Sequence, residues 1–183
     1  MRASALAIAW PFAETSAQTR LRPTIQRRQG WVVVGATMVV LLLLRWQFGL
    51  TFVLGESMAP TFGTGDLLLL NREAYRNTDP ERGDIVVARQ RTGLIVKRVV
   101  GLPGEEVEVN RGDLYVNQRR VAEPYPVEPG TLKIEKGRLP EAKFALLGDN
   151  RGLPPSLVVH AIVPRDHIVG KIIFSIRGWR SAR

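Results

Sequence analysis

The sequence predicts a mainly β protein: a twisted, partly closed antiparallel β-sheet domain with a small cap, preceded by one N-terminal transmembrane helix. An uncharged apolar run stands near the N-terminus, and short β-branched runs separated by Gly, Pro and Asp follow it. No sustained helical period occurs after the apolar run. The 183 residues suffice for one anchor and one domain, so a second large domain is not expected.

The apolar run Trp31–Leu44 contains no charged residue. A helix of this length, at about 1.5 Å per residue, reaches roughly 21 Å, which is less than the roughly 30 Å hydrocarbon core of a bilayer. We therefore expect the helix to continue through Trp46 and Phe48 and to occupy residues 29–50, with Arg45 reaching the interface. A buried core helix and a cleaved signal peptide are the alternatives for such a run, but no small-x-small cleavage pattern follows it.

Positive charge is concentrated on the N-terminal side of this run. Five arginines precede it against one acidic residue, Glu14, whereas no Lys or Arg occurs between Trp46 and Asn71. The positive-inside rule predicts a single-pass protein of the cell (inner or plasma) membrane, with a loosely ordered, basic cytoplasmic tail at residues 1–28 and with residues 51–183 on the outer face. The five arginines are Arg2, Arg20, Arg22, Arg27 and Arg28.

Composition excludes several kinds of site and partner. The chain has no cysteine, which rules out disulfides, thiolate zinc sites and a cysteine nucleophile. The net charge of +9 fits a solvated basic surface as well as an anionic partner. As a partner we expect the lipid bilayer rather than nucleic acid, because no nucleic-acid-binding module or stacking aromatic pattern accompanies the arginines. Neither a metal nor a cofactor is expected, since no metal-ligand spacing and no phosphate-binding glycine loop occurs.

Seven short apolar runs predict the strands of the outer domain. Turn signals such as Gly63–Asp66, Leu102–Gly104 and Pro129–Gly130 separate these runs. The segment 123–141, which is rich in Pro and Glu, is predicted to be a cap or excursion on the core. The predicted strands are Leu67–Leu70, Ile85–Ala88, Leu94–Val100, Val107–Val109, Leu114–Val116, Phe144–Leu147 and Ile168–Ile176.

Four motifs of the outer domain contain residue types that can do chemistry. They lie at residues 55–62, 65–70, 82–104 and 146–151. Taken alone, a serine in the first motif is more often a loop or capping residue than a nucleophile. The candidate site residues are Gly55, Ser57, Met58 and Pro60 in the first motif, Asp66 in the second, Lys97 and Arg98 in the third, and Gly148, Asp149, Asn150 and Arg151 in the fourth.

In this order and combination the four motifs resemble those of the type I signal peptidases, the Ser-Lys serine proteases of the leader peptidase type. The resemblance extends from Gly55 to about Ile176 and includes the preceding anchor. It implies a β-rich protease fold in which Ser57 of the S-M-x-P motif is the nucleophile and Lys97 of the K-R-V-V-G motif is the base. It also implies the substrates, which are exported preproteins with small residues before the cleavage site.

The chemistry of the residues also favours Lys97 as the base that a serine hydroxyl needs. On a strand Leu94–Val100, the period of two places Ile95, Lys97 and Val99 on one face, so the amine projects among apolar neighbours. Burial lowers a lysine pKa, and a fall of about 3 from roughly 10.4 would let Lys97 act near neutral pH. The alternative is an edge-strand lysine with a solvated amine.

Two positions depart from the pattern of the family. Gly55 stands where some members have a Ser whose hydroxyl supports the oxyanion, so the backbone N–H of Ser57 is the expected donor, joined by backbone groups or water. After the fourth motif, Pro154 falls at the position of the Ser that supports the lysine, and Ser156 falls at that of the following Asp. We expect Ser156 to orient Lys97 instead.

The sequence leaves other mechanisms and functions open. A Ser-His-Asp triad with His160 or His167 is the mechanistic rival, although neither histidine stands in a motif. A conjugation-type peptidase with one dedicated substrate, and a non-catalytic membrane-tethered β module that binds export partners, are the functional alternatives. The presence of both Ser57 and Lys97 favours a membrane-bound serine endopeptidase that removes signal peptides from preproteins.

Overall fold

The computed structural model describes residues 24–91, 93–154 and 161–177, with side chains from residue 29 onward. Most of the predicted tail, Ser156 and His160 therefore lie outside the described residues. The chain divides into two units, Met1–Leu41 and Leu42–Arg183. The first unit holds most of the single described α-helix, and the second holds the end of that helix and all the described strands.

Helix α1 runs from Thr24 to Gln47. Its segment Gln29–Gln47 is long and apolar enough to cross a membrane, and none of it is buried in the protein. The helix ends before the predicted boundary at residue 50, because Phe48–Phe52 form a strand, β1, that pairs with the next strand instead of extending the helix. The whole span of 19 residues reaches roughly 28 Å, close to the thickness of the hydrocarbon core.

The strands of the described residues form two antiparallel sheets. The strands after β1 are β2 Leu67–Asn71, β3 Ile85–Gln90, β4 Gly93–Gly101, β5 Glu106–Asn110, β6 Asp113–Val116, β7 Arg119–Arg120, β8 Ile134–Arg138, β9 Lys143–Leu147, β10 Ala161–Pro164 and β11 Ile168–Ile176. A seven-stranded sheet has the order β1-β2-β11-β3-β4-β9-β10, and a four-stranded sheet has the order β7-β6-β5-β8.

The mainly β, antiparallel fold with one N-terminal apolar helix is confirmed. Every predicted strand is present, and β1, β7, β8 and β10 are additional. Strand β8 lies within the segment 123–141, where it pairs with β5 and forms one edge of the four-stranded sheet. Only Ile134 of β8 is partly buried and its other residues are exposed, so the sequence carries no alternation that would reveal a strand there.

Apolar packing fixes the segment between β1 and β2. Met58 and Phe62 are buried in a cluster with Leu68 and Leu70 of β2 and Val87 of β3. Full burial of one such side chain contributes about 1.5–3 kcal/mol. The residues between these two anchors are therefore held against the seven-stranded sheet.

Candidate active site

Ser57 lies in a tight turn that follows β1. Gly55 has φ +100°, a conformation that favours glycine, and its N–H donates to Thr64 Oγ1 at 3.1 Å. The turn continues with Ala59 N–H donating to Glu56 O at 3.1 Å. These bonds, together with the buried Met58 side chain, place the half-buried Ser57 hydroxyl beside strand β4.

Lys97 reaches this hydroxyl from β4. Its Nζ lies 2.5 Å from Ser57 Oγ, and the residue is only 4% exposed. The strand period of two puts Ile95 and Val99 on the same face as Lys97, and both pack in one apolar cluster. Burial lowers the pKa of Lys97 to about 8, against the opposing effect of the Asp149 charge. A lysine with this pKa is neutral often enough near neutral pH to accept a proton.

Arg98 and Asp149 form a buried ion pair next to the Ser57–Lys97 contact. Arg98 Nε and Nη2 donate to the two carboxylate oxygens of Asp149 at 2.8 and 2.6 Å. Thr61 Oγ1 donates to Asp149 Oδ2 at 2.5 Å, and Arg98 Nη1 donates to Gly83 O at 2.8 Å. The pair thus links the strand that carries Lys97 to the turn that carries Ser57.

The fourth motif holds the backbone of Ser57. Asn150 N–H donates to Ser57 O at 3.2 Å, and Asn150 Nδ2 donates to Glu56 O at 3.1 Å. Gly148 packs so closely that an added Cβ would lie 2.2 Å from Ser57 O. Arg151, which is fully buried, donates from Nε to Gly148 O at 2.9 Å. All four motif residues therefore support the turn that carries Ser57.

Two further predicted residues take local structural positions. Asp66 is buried and its Oδ2 accepts the Gly63 N–H at 2.9 Å, which closes the turn before β2. Pro60 is exposed and follows a cis peptide bond with Ala59. The predicted role of Ser156 lies outside the described residues, as does His160. His167 is exposed in a 3₁₀ turn, Arg165–His167.

The sequence interpretation missed three residues that contact this network. Thr61 binds Asp149, Tyr125 stacks on Arg98, and Glu123 binds Arg151. Thr61 stands in the first motif, so its hydroxyl was a detectable signal. Glu123 precedes Pro124, and Tyr125 stands between two prolines. Both lie in an irregular segment, where no periodic pattern indicates a contact.

Comparisons with known proteins find a matching family model and several similar proteins. The family model described as "Signal peptidase, peptidase S26" matches residues 26–179. The "Probable signal peptidase I-2" of Synechocystis is 34% identical over 164 residues, which cover 81% of this chain and 73% of that protein. "Signal peptidase IB" of Staphylococcus aureus is 31% identical over 170 residues, which cover 81% and 88%. A solved signal peptidase I of Enterococcus faecalis is 24% identical, with a TM-score of 0.44 over 52% of this chain and 98% of that one.

Proposed function

Since the chain belongs to the signal peptidase family, peptidase S26, and is a serine endopeptidase that removes signal peptides, we propose that Ser57 is its nucleophile and Lys97 its general base. The observation that supports this most is the 2.5 Å distance between Lys97 Nζ and Ser57 Oγ. Lys97 is also almost completely buried. Nucleophile and base at hydrogen-bond distance are the arrangement that activates a serine.

The neutral amine of Lys97 accepts the hydroxyl proton while Ser57 Oγ attacks the carbonyl carbon of the scissile bond. The ammonium so formed then gives its proton to the leaving nitrogen as the C–N bond breaks, which leaves an acyl ester on Ser57. Water then attacks the ester carbonyl carbon and loses a proton to Lys97. As the bond from that carbon to Ser57 Oγ breaks, Lys97 gives the proton to Oγ, the carboxylic acid product leaves, and the neutral amine and the hydroxyl are restored.

The developing oxyanion needs a donor near Ser57. Within the described residues, the Ser57 N–H donates to no other protein group, so it is open to the oxyanion. Gly55 has no side chain to add a second donor, which leaves backbone groups or water for that role. That substrates carry small residues before the cleaved bond remains a prediction from the family resemblance.

An exposed apolar surface on the catalytic unit supports the lipid bilayer as a partner. The register of β1, β2 and β11 aligns six apolar side chains in two rows across the three strands, and we call this set the apolar face. Phe52 and Phe174 in it are 66% and 58% exposed. Large exposed apolar patches mark binding surfaces. The rows are Leu50, Leu69 and Phe174, and Phe52, Leu67 and Ile176.

Anchoring by Gln29–Gln47 with a cytoplasmic N-terminus completes the proposal. The arginines before the span favour this orientation in the cell (inner or plasma) membrane. Protease added outside spheroplasts is expected to degrade the region after Leu54 and to leave a tag fused to residue 1 intact. Loss of the N-terminal tag with survival of the catalytic unit would mean the opposite orientation.

The catalytic assignment is tested with the detergent-solubilised full chain and a preprotein substrate. Ser57→Ala and Lys97→Met are each expected to lower kcat by at least about 10³-fold. Lys171→Met is the matched control, because Lys171 is also a paired lysine, with Asp84 at 2.6 Å. His160→Ala and His167→Ala should leave most activity. A histidine variant as inactive as Lys97→Met would favour a triad instead.

A further inference from the structure

The segment 123–130 lies directly against the fourth motif. Glu128 N–H donates to Asp149 O at 3.0 Å, and Arg151 N–H donates to Glu128 O at 3.0 Å. Glu128 and Asn150 thus pair through their backbones as residues of two parallel strands do. An added Cβ on Gly130 would lie 1.9 Å from Arg151 O. Backbone pairing and close packing therefore fix this segment beside the residues that hold Ser57.

Two side chains of the segment contact the two buried arginines of the site. Glu123 Oε1 accepts from Arg151 Nη2 at 2.6 Å and from the Tyr125 hydroxyl at 2.7 Å. The Tyr125 ring lies over the Arg98 guanidinium, with Cζ 3.7 Å from the ring centroid. This distance is well inside the roughly 6 Å limit for a cation–π contact. The hydroxyl of Tyr125 thus fixes a ring that covers Arg98.

Arg98 is the residue through which this ring can affect the reaction. It adjoins Lys97 on β4, and its partner Asp149 adjoins Asn150, whose N–H holds Ser57 O. The ion pair is almost fully removed from water, at 5% and 0% exposure, so its geometry depends on the groups that surround it. A ring stacked on the guanidinium shields the pair and attracts the cation.

We propose that Tyr125 is a positioning residue for the catalytic pair, because its ring holds Arg98 in the bidentate contact with Asp149 that sets Lys97 against Ser57. The role rests on the proposed Ser57–Lys97 chemistry. It is specific to the ring: the hydroxyl only orients the ring through Glu123. Tyr125 contacts neither reacting atom, so its loss should lower kcat and leave KM nearly unchanged.

Three variants of the full chain test the proposal with a preprotein substrate. Tyr125→Leu removes the ring and is expected to lower kcat about 10-fold with KM within about twofold. Tyr125→Phe keeps the ring and should retain kcat within about threefold. Tyr115→Leu is the matched control, since Tyr115 is a half-buried tyrosine on β6 that faces Arg120 across the strands. It should leave kcat unchanged.

Wild-type kcat in Tyr125→Leu would overturn the proposal, and so would an equal loss in Tyr125→Phe. If Tyr125→Leu fails to fold, Tyr125→Met replaces the ring by another apolar side chain; a kcat lowered about 10-fold supports the proposal and a wild-type kcat contradicts it. Ser57→Ala in the same series separates the two claims. An active Ser57→Ala would refute the proposed catalytic assignment, whereas an inactive Ser57→Ala beside a fully active Tyr125→Leu would refute only the role of Tyr125.

Discussion

Lys97 is held in an environment that favours its neutral form. The fold removes its amine from water, and no carboxylate of the described residues lies within ion-pair distance of it. Its pKa is about 8 in the folded chain against an ordinary value of 10.5, because burial outweighs the Asp149 charge. Between these values the unfolded chain binds a proton that the folded chain does not, so this group makes stability rise with pH across that window. Below pH 8 the folded chain must bind the proton too, and holding the buried Lys97 amine in its charged form costs roughly 3 kcal/mol of stability.

Ser156 is the residue that we predict to orient this amine. Pro154 has no side-chain donor or acceptor, and a buried base is commonly fixed by a second hydrogen-bond partner. Loss of one such bond is worth about 0.5–1.5 kcal/mol, so Ser156→Ala should slow cleavage roughly 2- to 13-fold without unfolding the domain. Two measurements check this prediction: kcat at several pH values, and the midpoint temperature of thermal unfolding. Unchanged activity with an unchanged pH profile would mark Ser156 as an ordinary loop residue.

At the scale of single elements, the pairing partner decides what the sequence leaves ambiguous. The apolar stretch after Trp46 suits a membrane helix as well as a strand, and it becomes β1 because β2 offers it a complete antiparallel register, Phe48 to Asn71 through Phe52 to Leu67. Such tertiary pairing is not visible in a local pattern. The buried strands β3 and β9 were predictable because their apolar runs are continuous between turn signals. Strand β4 was predictable because apolar residues stand on both sides of Lys97 and Arg98.

The turn between β9 and Arg151 is the element on which the position of Ser57 depends most closely. A Cβ on Gly148 would lie 2.2 Å from Ser57 O. This distance is too short for two unbonded atoms, so the backbone at Ser57 or at Gly148 would have to move. A displacement near 1 Å can cost about 10²-fold in rate, so Gly148→Ala should lower kcat/KM by about that factor. Gly137→Ala on β8 is the matched control, because its Cβ would meet no atom within 4 Å. Equal activity of the two variants would contradict this dependence.

The candidate site was predictable to the extent that its residues stand in compact motifs. All four of Ser57, Lys97, Arg98 and Asp149 stand in the motifs, and the structure brings Lys97 to Ser57 and Arg98 to Asp149. The contact of Tyr125 with Arg98 joins positions that no motif connects, since its segment has neither periodicity nor a capping signal. Contacts made by side chains of irregular segments can therefore be identified only from the tertiary structure.

At the scale of the whole molecule, the apolar face should matter only when the substrate is in a membrane. Phe52→Glu combined with Phe174→Glu is expected to slow cleavage of a vesicle-embedded preprotein about 10-fold, because charge opposes contact with lipid. Cleavage of a short soluble peptide in detergent should not change. Ile162→Glu is the control, since Ile162 is a 55% exposed residue on β10 at the opposite edge of the sheet. Equal slowing with both substrates would indicate damage to the site instead.

The pH dependence of kcat/KM tests the Ser57–Lys97 assignment most directly. The reactive form of the free enzyme holds a neutral Lys97, so the rate should rise with pH along a single limb with its midpoint at about 8. His160→Ala and His167→Ala should leave that limb in place. A limb with its midpoint near 6.5, the ordinary histidine value, that disappears in either histidine variant would contradict Lys97 as the base.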